Sequence, residues 1–186
     1  MAVVLLSARS FDGLRTMVTR LDEEIVIRPA TVADAASVAG IYNHYVRETT
    51  VTFEEQEVSP SEIARRIQEV GSASLPWLIA ERDARIVGYA YATKWHSRSA
   101  YRYSVEITVY VDAGHMRVGV ASRLYDHLFP LLQARGIRAV LAGIALPNEA
   151  SVALHERYGL SKAAHLKEVG FKFNRWIDVG YWQRTL

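Results

Sequence analysis

The sequence predicts a single α/β domain, in which helices flank a mixed β-sheet. Three observations support this class. The chain has 186 residues, of which 50% are apolar and 23% charged, the balance of a globular protein that can bury a core. Apolar residues recur at helical spacing in some segments and alternate with polar ones in others. The resulting order of elements is β-α-α-β-β-β-α-β-α-β-β.

In the first half of the chain, two helices follow a short strand and precede a hairpin. Strands are predicted where apolar and β-branched residues cluster, over 24–28, 77–81 and 86–93. The segment 32–48 predicts a helix with Thr31 as its N-cap. A second helix begins at Ser59-Pro60-Ser61-Glu62, which combines a capping serine, a proline at the first helical position and a glutamate three residues on. It should stop at Gly71.

The second half contains the longest predicted strand, 101–111, whose side chains alternate between two faces. The apolar face carries Val105, Ile107, Val109 and Val111, and the polar face carries Ser104, Glu106, Thr108 and Tyr110. A helix follows from Val120 and ends near Gly136. The remaining predicted elements are a buried strand over 137–145, a helix over 148–158, and a hairpin of strands 165–173 and 177–183 that turns at Asn174-Arg175.

Residues 1–23 are predicted to be a loosely attached extension, a candidate for disorder, ahead of the domain at 24–186. The apolar run Ala2–Leu6 is too short for the core of a signal sequence, and no basic segment precedes it. Charged residues interrupt the stretch that follows, so it predicts no membrane span. Met17 is an alternative start of the chain.

The composition excludes several classes of function. The formal net charge of +2 arises from 22 basic and 20 acidic residues spread along the chain, so no nucleic-acid partner is expected. The absence of cysteine excludes disulfides and thiol catalysis, and it is compatible with the cytoplasmic location that we expect. The sequence has no zinc-ligand spacing, nucleophile-elbow serine or P-loop, and no metal is expected.

The most informative stretch is a strand, a loop and a helix start around residues 104–122. Small residues at Gly119 and Ala121 would let an anion approach the free N–H groups of the helix start, and Arg117 would add positive charge. Packing alone is also a common reason for small residues there. Glu106 on the preceding strand is a candidate general base, and a cross-strand ion pair on a solvated face is the alternative.

Several motifs then point to one family. Val109-Tyr110-Val111, followed by His115–Ala121, resembles the acetyl-CoA loop of the GNAT acetyltransferases. The similarity runs from about Glu24 to Gln183, and within the superfamily it is greatest to the phosphinothricin and methionine-sulfoximine (methionine-sulfone) N-acetyltransferases. Six further segments carry it: Tyr42–Tyr45, Thr50–Phe53, Trp95–Tyr101, Leu146–Asn148, Gly170–Lys172 and Trp176–Gly180.

This resemblance implies a mostly antiparallel central sheet and acetyl-CoA as the co-substrate. A backbone N–H near Val109 would stabilise the oxyanion of the reaction. Asn148 would contact the pantetheine arm, or serve only as a helix N-cap. The implied cofactor-binding residues are Val109, Tyr110, Val111, Arg117, Val118, Gly119, Val120, Ala121, Ser122 and Asn148.

The resemblance also implies the catalytic and substrate-binding residues, and a homodimer. Glu106 would deprotonate the amine, directly or through water, and His155 would protonate the departing thiolate. A lone helical histidine is, however, more often structural. Phe53, Arg98 and Tyr101 would bind the small-molecule amine, Arg98 by gripping a carboxylate or phosphinate through paired hydrogen bonds. Without the resemblance, Arg98 would be a solvated loop residue and Tyr101 an edge-strand packing residue.

Three positions depart from the family pattern. Met116 stands where the loop has Gln or Arg, and Val118 where a basic or polar residue is common, so acetyl-CoA binding should survive at reduced strength. His96 replaces an expected lysine, which bears on the identity of the substrate. The function we expect is acetyl transfer to the α-amine of phosphinothricin, methionine sulfoximine or methionine sulfone. The alternatives are another amine (a polyamine, an antibiotic or a peptide N-terminus) and a non-catalytic acyl-CoA-binding regulatory module.

Overall fold

A computed structural model describes residues 25–186 of the chain. Within this part, seven strands form one sheet and four helices pack on its two faces. The elements are β1 Val26–Pro29, α1 Ala35–Glu48, α2 Pro60–Ser72, β2 Trp77–Arg82, β3 Arg85–Lys94, β4 Ser104–Val111, α3 Val120–Ala134, β5 Ala139–Leu146, α4 Glu149–Arg157, β6 Ser161–Lys172 and β7 Arg175–Thr185. The predicted α/β class and element order are confirmed, whereas the predicted extension at 1–23 lies outside the described residues.

The sheet has the strand order β1-β2-β3-β4-β5-β7-β6. Every neighbouring pair is antiparallel except β4 and β5, which are parallel and joined through α3. The mostly antiparallel sheet implied by the resemblance is therefore present. The chain crosses the middle of the sheet once, between β4 and β5, and the predicted functional residues cluster around that crossing.

Two hydrophobic clusters fill the space between the sheet and its helices. One lies under α3 and includes Val105 and Ile107 of β4, with Val109 and Val111 packed at its margin, so the predicted apolar face is confirmed. The opposite face of β4 is covered too, because Tyr110 packs against the second cluster, under α1 and α2. The solvated face considered as the alternative for Glu106 is therefore not observed, since two helices from the first half of the chain lie over this side of β4.

The predicted helix boundaries hold at some ends and fail at others. The segment Val32–Asp34 is a 3₁₀ turn, and α1 begins only at Ala35. The Asp34 carboxylate accepts a hydrogen bond from the Thr31 N–H at 2.7 Å and pairs with Arg28, which lowers its pKa to about 2. This local network holds the turn in place of the predicted first turn of helix.

Glycine and turn residues account for the other boundary differences. Helix α2 continues through Gly71 to Ser72, because this glycine does not adopt a left-handed conformation. Helix α3 begins at Val120 as predicted and ends at Ala134, close to the left-handed Gly136. The last hairpin turns at Phe173-Asn174, one residue before the predicted position, and both turn residues have positive φ.

Candidate active site

The central feature of the site is a split between β4 and β5. Their pairing covers only three residues of each strand, from Ser104 opposite Ala139 to Glu106 opposite Leu141. β4 continues to Val111 along β3, and β5 continues to Leu146 along β7. Among the described residues, the later part of β4 therefore has no ladder partner on its β5 side. Glu106 stands where the two strands separate.

The split leaves strand backbone available for a ligand. The Asp112 N–H, just after β4, donates to the carbonyl of Val87 in β3. Backbone groups alternate in direction along an antiparallel strand, so those of Val109 and Val111 point away from β3. The Val111 carbonyl accepts a hydrogen bond from the Tyr45 hydroxyl. The Val109 N–H and carbonyl face the opening.

The loop after β4 leads into α3, whose first backbone amides have no side-chain cap among the described residues. Asp112 orders the loop, since its Oδ2 accepts from the Gly114 N–H at 3.1 Å and lies 2.8 Å from His115 Nδ1. Arg117 and Gly119 follow with φ of +62° and +87°. Among residues 25–186, no side chain caps α3, and no acidic residue lies in its first turn. The first amides of a helix have no intrahelical acceptor, so this start can bind an anion, and the exposed Val118 does not block it.

Glu106 occupies a confined position on the face of β4 that α1 and α2 cover. The residue that pairs with Glu106 on β3 is Thr93, which carries no charge. The cross-strand ion pair considered as an alternative is therefore absent from this pair of strands. A methyl group at Gly143 would lie 2.9 Å from Glu106 Oε1, which shows how closely β5 approaches the carboxylate. Burial raises the pKa of Glu106, although a hydrogen bond from the Gly143 backbone and the nearby His96 lower it in part. A carboxyl with a raised pKa is a stronger base than an exposed glutamate, which suits it to accept a proton from a substrate.

The segment between β3 and β4 brings aromatic and basic groups to the same end of the strand. The Trp95 ring meets the Tyr181 ring edge-on at 5.4 Å, and His96 meets Tyr101 at 5.0 Å. Arg98 begins a 3₁₀ turn that contains Tyr101. Its side chain is exposed and has no hydrogen-bond partner within residues 25–186. A guanidinium in this state is available to an anionic ligand.

The segment from residue 49 to residue 58, hereafter the α1–α2 segment, carries Phe53. The segment is irregular yet firmly held: the Asn43 side chain exchanges two hydrogen bonds with the Val58 backbone, at 3.0 and 2.8 Å, and Arg66 pairs with Glu54 at 2.8 Å. Phe53 is 40% exposed and rests against Gly170 of β6. Its ring is therefore an accessible apolar surface in a fixed place.

The two predicted residues of the β5–α4 region occupy different environments. Asn148 caps α4, with Oδ1 accepting from the Ser151 N–H at 3.1 Å, as the capping alternative predicted. His155 is only 4% exposed: Nδ1 lies 2.7 Å from the Ser151 carbonyl and Nε2 2.9 Å from the Tyr125 hydroxyl. Burial lowers the pKa of His155. Both ring nitrogens thus already have partners inside the protein, which is the geometry of a structural histidine.

Sequence reasoning assigned no role to several residues that shape the site. Gly143 and Tyr181 lie against Glu106, and Thr52 and Lys172 hold the α1–α2 segment. Thr52 and Lys172 stand in segments that carried the family resemblance, so a signal existed for them. Gly143 sits in an apolar strand, and nothing in the sequence marks its contact with Glu106.

The described residues contain neither a metal-binding cluster nor a membrane-spanning helix. Within residues 25–186, no group of three or more His, Asp or Glu side chains has the geometry to hold a metal ion. No helix in the same range has both the length and the apolar character needed to cross a bilayer. The described residues of the site thus combine a helix start that can bind an anion with a nearby carboxylate that can accept a proton.

Comparison with known proteins decides the family. Residues 27–180 match the model of the acetyltransferase (GNAT) domain. The chain belongs to the GNAT acetyltransferase family. This finding confirms the resemblance deduced from the motifs, and it makes this GNAT protein an acetyltransferase by family.

The relatives of this GNAT protein include enzymes with named substrates. A phosphinothricin N-acetyltransferase of Streptomyces viridochromogenes is 43% identical over 160 residues, covering 86% of this chain and 87% of that protein. A methionine sulfoximine/methionine sulfone acetyltransferase of Salmonella typhimurium is 32% identical over 162 residues, covering 87% and 95%. A phosphinothricin acetyltransferase from Sinorhizobium meliloti, solved with acetyl-CoA, has a TM-score of 0.84 and 32% identity, covering 87% and 88%.

Proposed function

We propose that this GNAT protein transfers acetyl from acetyl-CoA to the α-amine of a small anionic amino-acid analogue: phosphinothricin, methionine sulfoximine or methionine sulfone. The observation that carries the proposal is the position of Glu106, a half-buried carboxyl with a raised pKa at the point where β4 leaves β5. The named substrates of the relatives support the choice of amine.

The donor side of the split fits acetyl-CoA. The uncapped start of α3, with the backbone of Gly119, Val120, Ala121 and Ser122, would hold the pyrophosphate, and Arg117 would supply charge. The Val109 N–H and carbonyl and the Val111 N–H, which point away from β3, would pair with the pantetheine arm as a neighbouring strand does. Asn148 would add a contact from the start of α4, because its cap uses only Oδ1.

In the proposed reaction, the neutral amine attacks the thioester carbonyl directly. Glu106, directly or through one water, first takes a proton from the ammonium form, because only the neutral amine is nucleophilic. The new C–N bond forms as the carbonyl oxygen becomes an oxyanion, which the Val109 N–H would stabilise. Collapse of this intermediate breaks the C–S bond and releases CoA thiolate, while the nitrogen loses its second proton to solvent to give the neutral amide. A covalent acetyl-enzyme would contradict this mechanism.

The burial of His155 argues against a direct acid role for this residue. A proton on Nδ1 would be held by the Ser151 carbonyl, and Nε2 would accept from Tyr125, so neither nitrogen faces a ligand. The lowered pKa also disfavours the cationic form that would donate. We therefore assign protonation of the thiolate to solvent and a structural role to His155.

The amine side would recognise the negative group of the substrate. Arg98 is exposed and without a partner in residues 25–186, and a planar guanidinium binds carboxylate or phosphinate through two parallel hydrogen bonds. Tyr101 would add a hydroxyl from the same turn, and Phe53 an apolar wall for the side chain of the substrate. Arg98 and Tyr101 lie in the turn that precedes β4, and Phe53 lies on the α1–α2 segment against Gly170 of β6.

A homodimer is part of the proposal. The hairpin of β6 and β7 exposes Val169, Phe171, Phe173 and Trp176, the last being 62% exposed. An apolar group of this kind on an edge strand favours pairing with a second copy of the chain. Light scattering after size-exclusion chromatography measures the mass, and a monomer at micromolar concentration would contradict the dimer.

The test of the function is release of CoA thiol from acetyl-CoA across a panel of amines. We expect turnover with phosphinothricin, methionine sulfoximine or methionine sulfone, and none with spermidine or an aminoglycoside. Turnover restricted to the cationic amines would contradict the substrate class while leaving acetyl transfer in place. Binding of acetyl-CoA without turnover of any amine would favour a regulatory module.

A further inference from the structure

We propose that Lys172 is a positioning residue that sets specificity for the amine, because it fixes the α1–α2 segment on which Phe53 lies. The inference rests on the proposed function, in which Phe53 forms a wall of the amine site. Lys172 lies at the end of β6, remote in sequence from the segment that it holds. Its proposed role is to join the last hairpin to the substrate side of the site.

The environment of Lys172 is unusual for a lysine. The side chain is 2% exposed, and its Nζ donates to the backbone carbonyl of Thr52 at 2.9 Å. Burial lowers its pKa, and the charges of Glu55 and Glu54 oppose that effect without forming an ion pair. Burying an ammonium group is costly, so a lysine with one backbone acceptor needs a reason to be there. The hydrogen bond from Lys172 to the Thr52 carbonyl gives this lysine a role, because it holds the α1–α2 segment against β6.

A second contact joins the same two parts of the chain. A methyl group at Gly170 would lie 2.4 Å from Cζ of Phe53 and 2.5 Å from Cε1. The Phe53 ring therefore lies directly on the backbone of β6, and only a glycine permits this approach. Lys172 and Gly170 are two residues apart on one strand. They hold adjacent residues of the α1–α2 segment, Thr52 by its carbonyl and Phe53 by its ring.

The contact at Thr52 also reaches the strand that carries Glu106. The Thr52 hydroxyl lies 2.7 Å from the Tyr42 hydroxyl of α1, and the Tyr42 ring meets the ring of Tyr110 in β4 edge-on at 5.2 Å. Tyr110 shares its face of β4 with Glu106. Thr52 is therefore held by α1 and β6, and Tyr42 links it to β4. Removing the β6 contact would leave the segment attached elsewhere but would free Phe53 to shift relative to Glu106.

The other contacts of the α1–α2 segment should keep the structural effect of losing Lys172 local. The Asn43–Val58 hydrogen bonds and the Arg66–Glu54 pair do not involve β6, so they should survive loss of Lys172. We therefore expect a change in amine binding without a matching change in acetyl-CoA binding. A general loss of structure would instead affect both substrates.

The first experiment compares Lys172→Met with Lys167→Met, a control on the same strand whose side chain is exposed. We expect Lys172→Met to raise KM for the amine roughly 10- to 100-fold, because small misplacements of a binding wall cost rate and affinity steeply. KM for acetyl-CoA should change less than about 2-fold in both variants. Equal changes in both KM values, or no change in the amine KM, would overturn the proposal.

A second set of variants keeps the proposal testable if Lys172→Met folds poorly. It also distinguishes the positioning role of Lys172 from the proposed role of Phe53 as a wall of the amine site. Gly170→Ala keeps Lys172 but displaces the Phe53 ring, and it should raise the amine KM in the same way. In a Phe53→Ala background, both effects should disappear, because the wall they position is gone. An unchanged amine KM in Phe53→Ala alone would contradict the substrate wall itself. A large effect there, with none in Lys172→Met and Gly170→Ala, would contradict only the positioning role.

Discussion

The two sides of the β4–β5 split are built by different means. On the donor side, residues 109–122 present backbone groups: an open strand edge and a helix start without a cap or an acidic first turn. On the amine side, the working groups are side chains, and a network of hydrogen bonds holds the irregular α1–α2 segment that carries one of them. A surface made of backbone groups tolerates substitution of its side chains. A surface made of side chains depends on each of those residues and on the residues that hold them in place.

Helices α2 and α3 show the same difference on a smaller scale. Ser59 caps α2 by accepting from the Glu62 N–H at 3.2 Å, and Glu62 places negative charge in its first turn. Helix α3 has neither feature, and left-handed Gly119 leads into it. A helix start that satisfies its own amides is structural, and one that leaves them open is suited to an anion.

The largest effect should come from Glu106→Gln on the amine side. We expect kcat to fall roughly 10²- to 10⁴-fold, the usual contribution of a general base, with the dissociation constant for acetyl-CoA nearly unchanged. Because burial raises the pKa of Glu106 and the ionised form is the base, the activity of the parent enzyme should rise with pH through that pKa. The glutamine variant should lack this acidic limb. Glu69→Gln, which changes an exposed glutamate of α2, is the control. A matching loss of kcat in that variant would contradict the assignment of Glu106 as the general base.

The next largest effect should come from Arg98→Ala. Loss of a charge-assisted pair should raise the amine KM roughly 10- to 100-fold, and the effect should be confined to substrates with an anionic group. Arg102→Ala, in the same segment but bonded to the Ser99 carbonyl, is the matched control. Steady-state kinetics with each amine measures the difference. Similar losses in the two variants would show that Arg98 has no specific role.

A moderate effect should follow from placing negative charge at the open helix start. Ser122→Asp should weaken acetyl-CoA binding roughly 2- to 10-fold, since the new carboxylate would repel the pyrophosphate that the helix dipole attracts. Ser61→Asp makes the same change in the first turn of the capped helix α2 and should leave the affinity alone. Titration calorimetry with CoA compares them. No loss in Ser122→Asp would place the pyrophosphate elsewhere.

The smallest effect should come from Met116, one of the departures from the family loop. Its side chain is 48% exposed and precedes the amides that we assign to the cofactor. We expect Met116→Gln, which restores the common residue, to change acetyl-CoA affinity less than about 3-fold, because backbone donors carry the binding. An increase well above this range would mean that the side chains of the loop contribute as much as its backbone.

Sequence reasoning was strongest where local chemistry decides the structure. The capping serine and proline at the start of α2, the alternation along β4 and the helix beginning at Val120 all appear as predicted. It was weaker where a side-chain contact outside the helical pattern intervenes, as at Asp34, whose pairing with Arg28 accompanies the later start of α1. It left open whether the second face of β4 is solvated, because no local pattern shows that α1 and α2 will cover it.

The family, the element order and the candidate base could all be predicted from the sequence, because motifs, caps and periodicity are local properties of the chain. The environment of each group, in contrast, depends on the tertiary structure. It separated β4 from β5 beyond Glu106, enclosed His155 between Ser151 and Tyr125, and set Lys172 against Thr52. Burial and distance depend on residues far apart in the chain, and they decide whether a histidine can donate a proton and whether a lysine faces solvent or a backbone carbonyl.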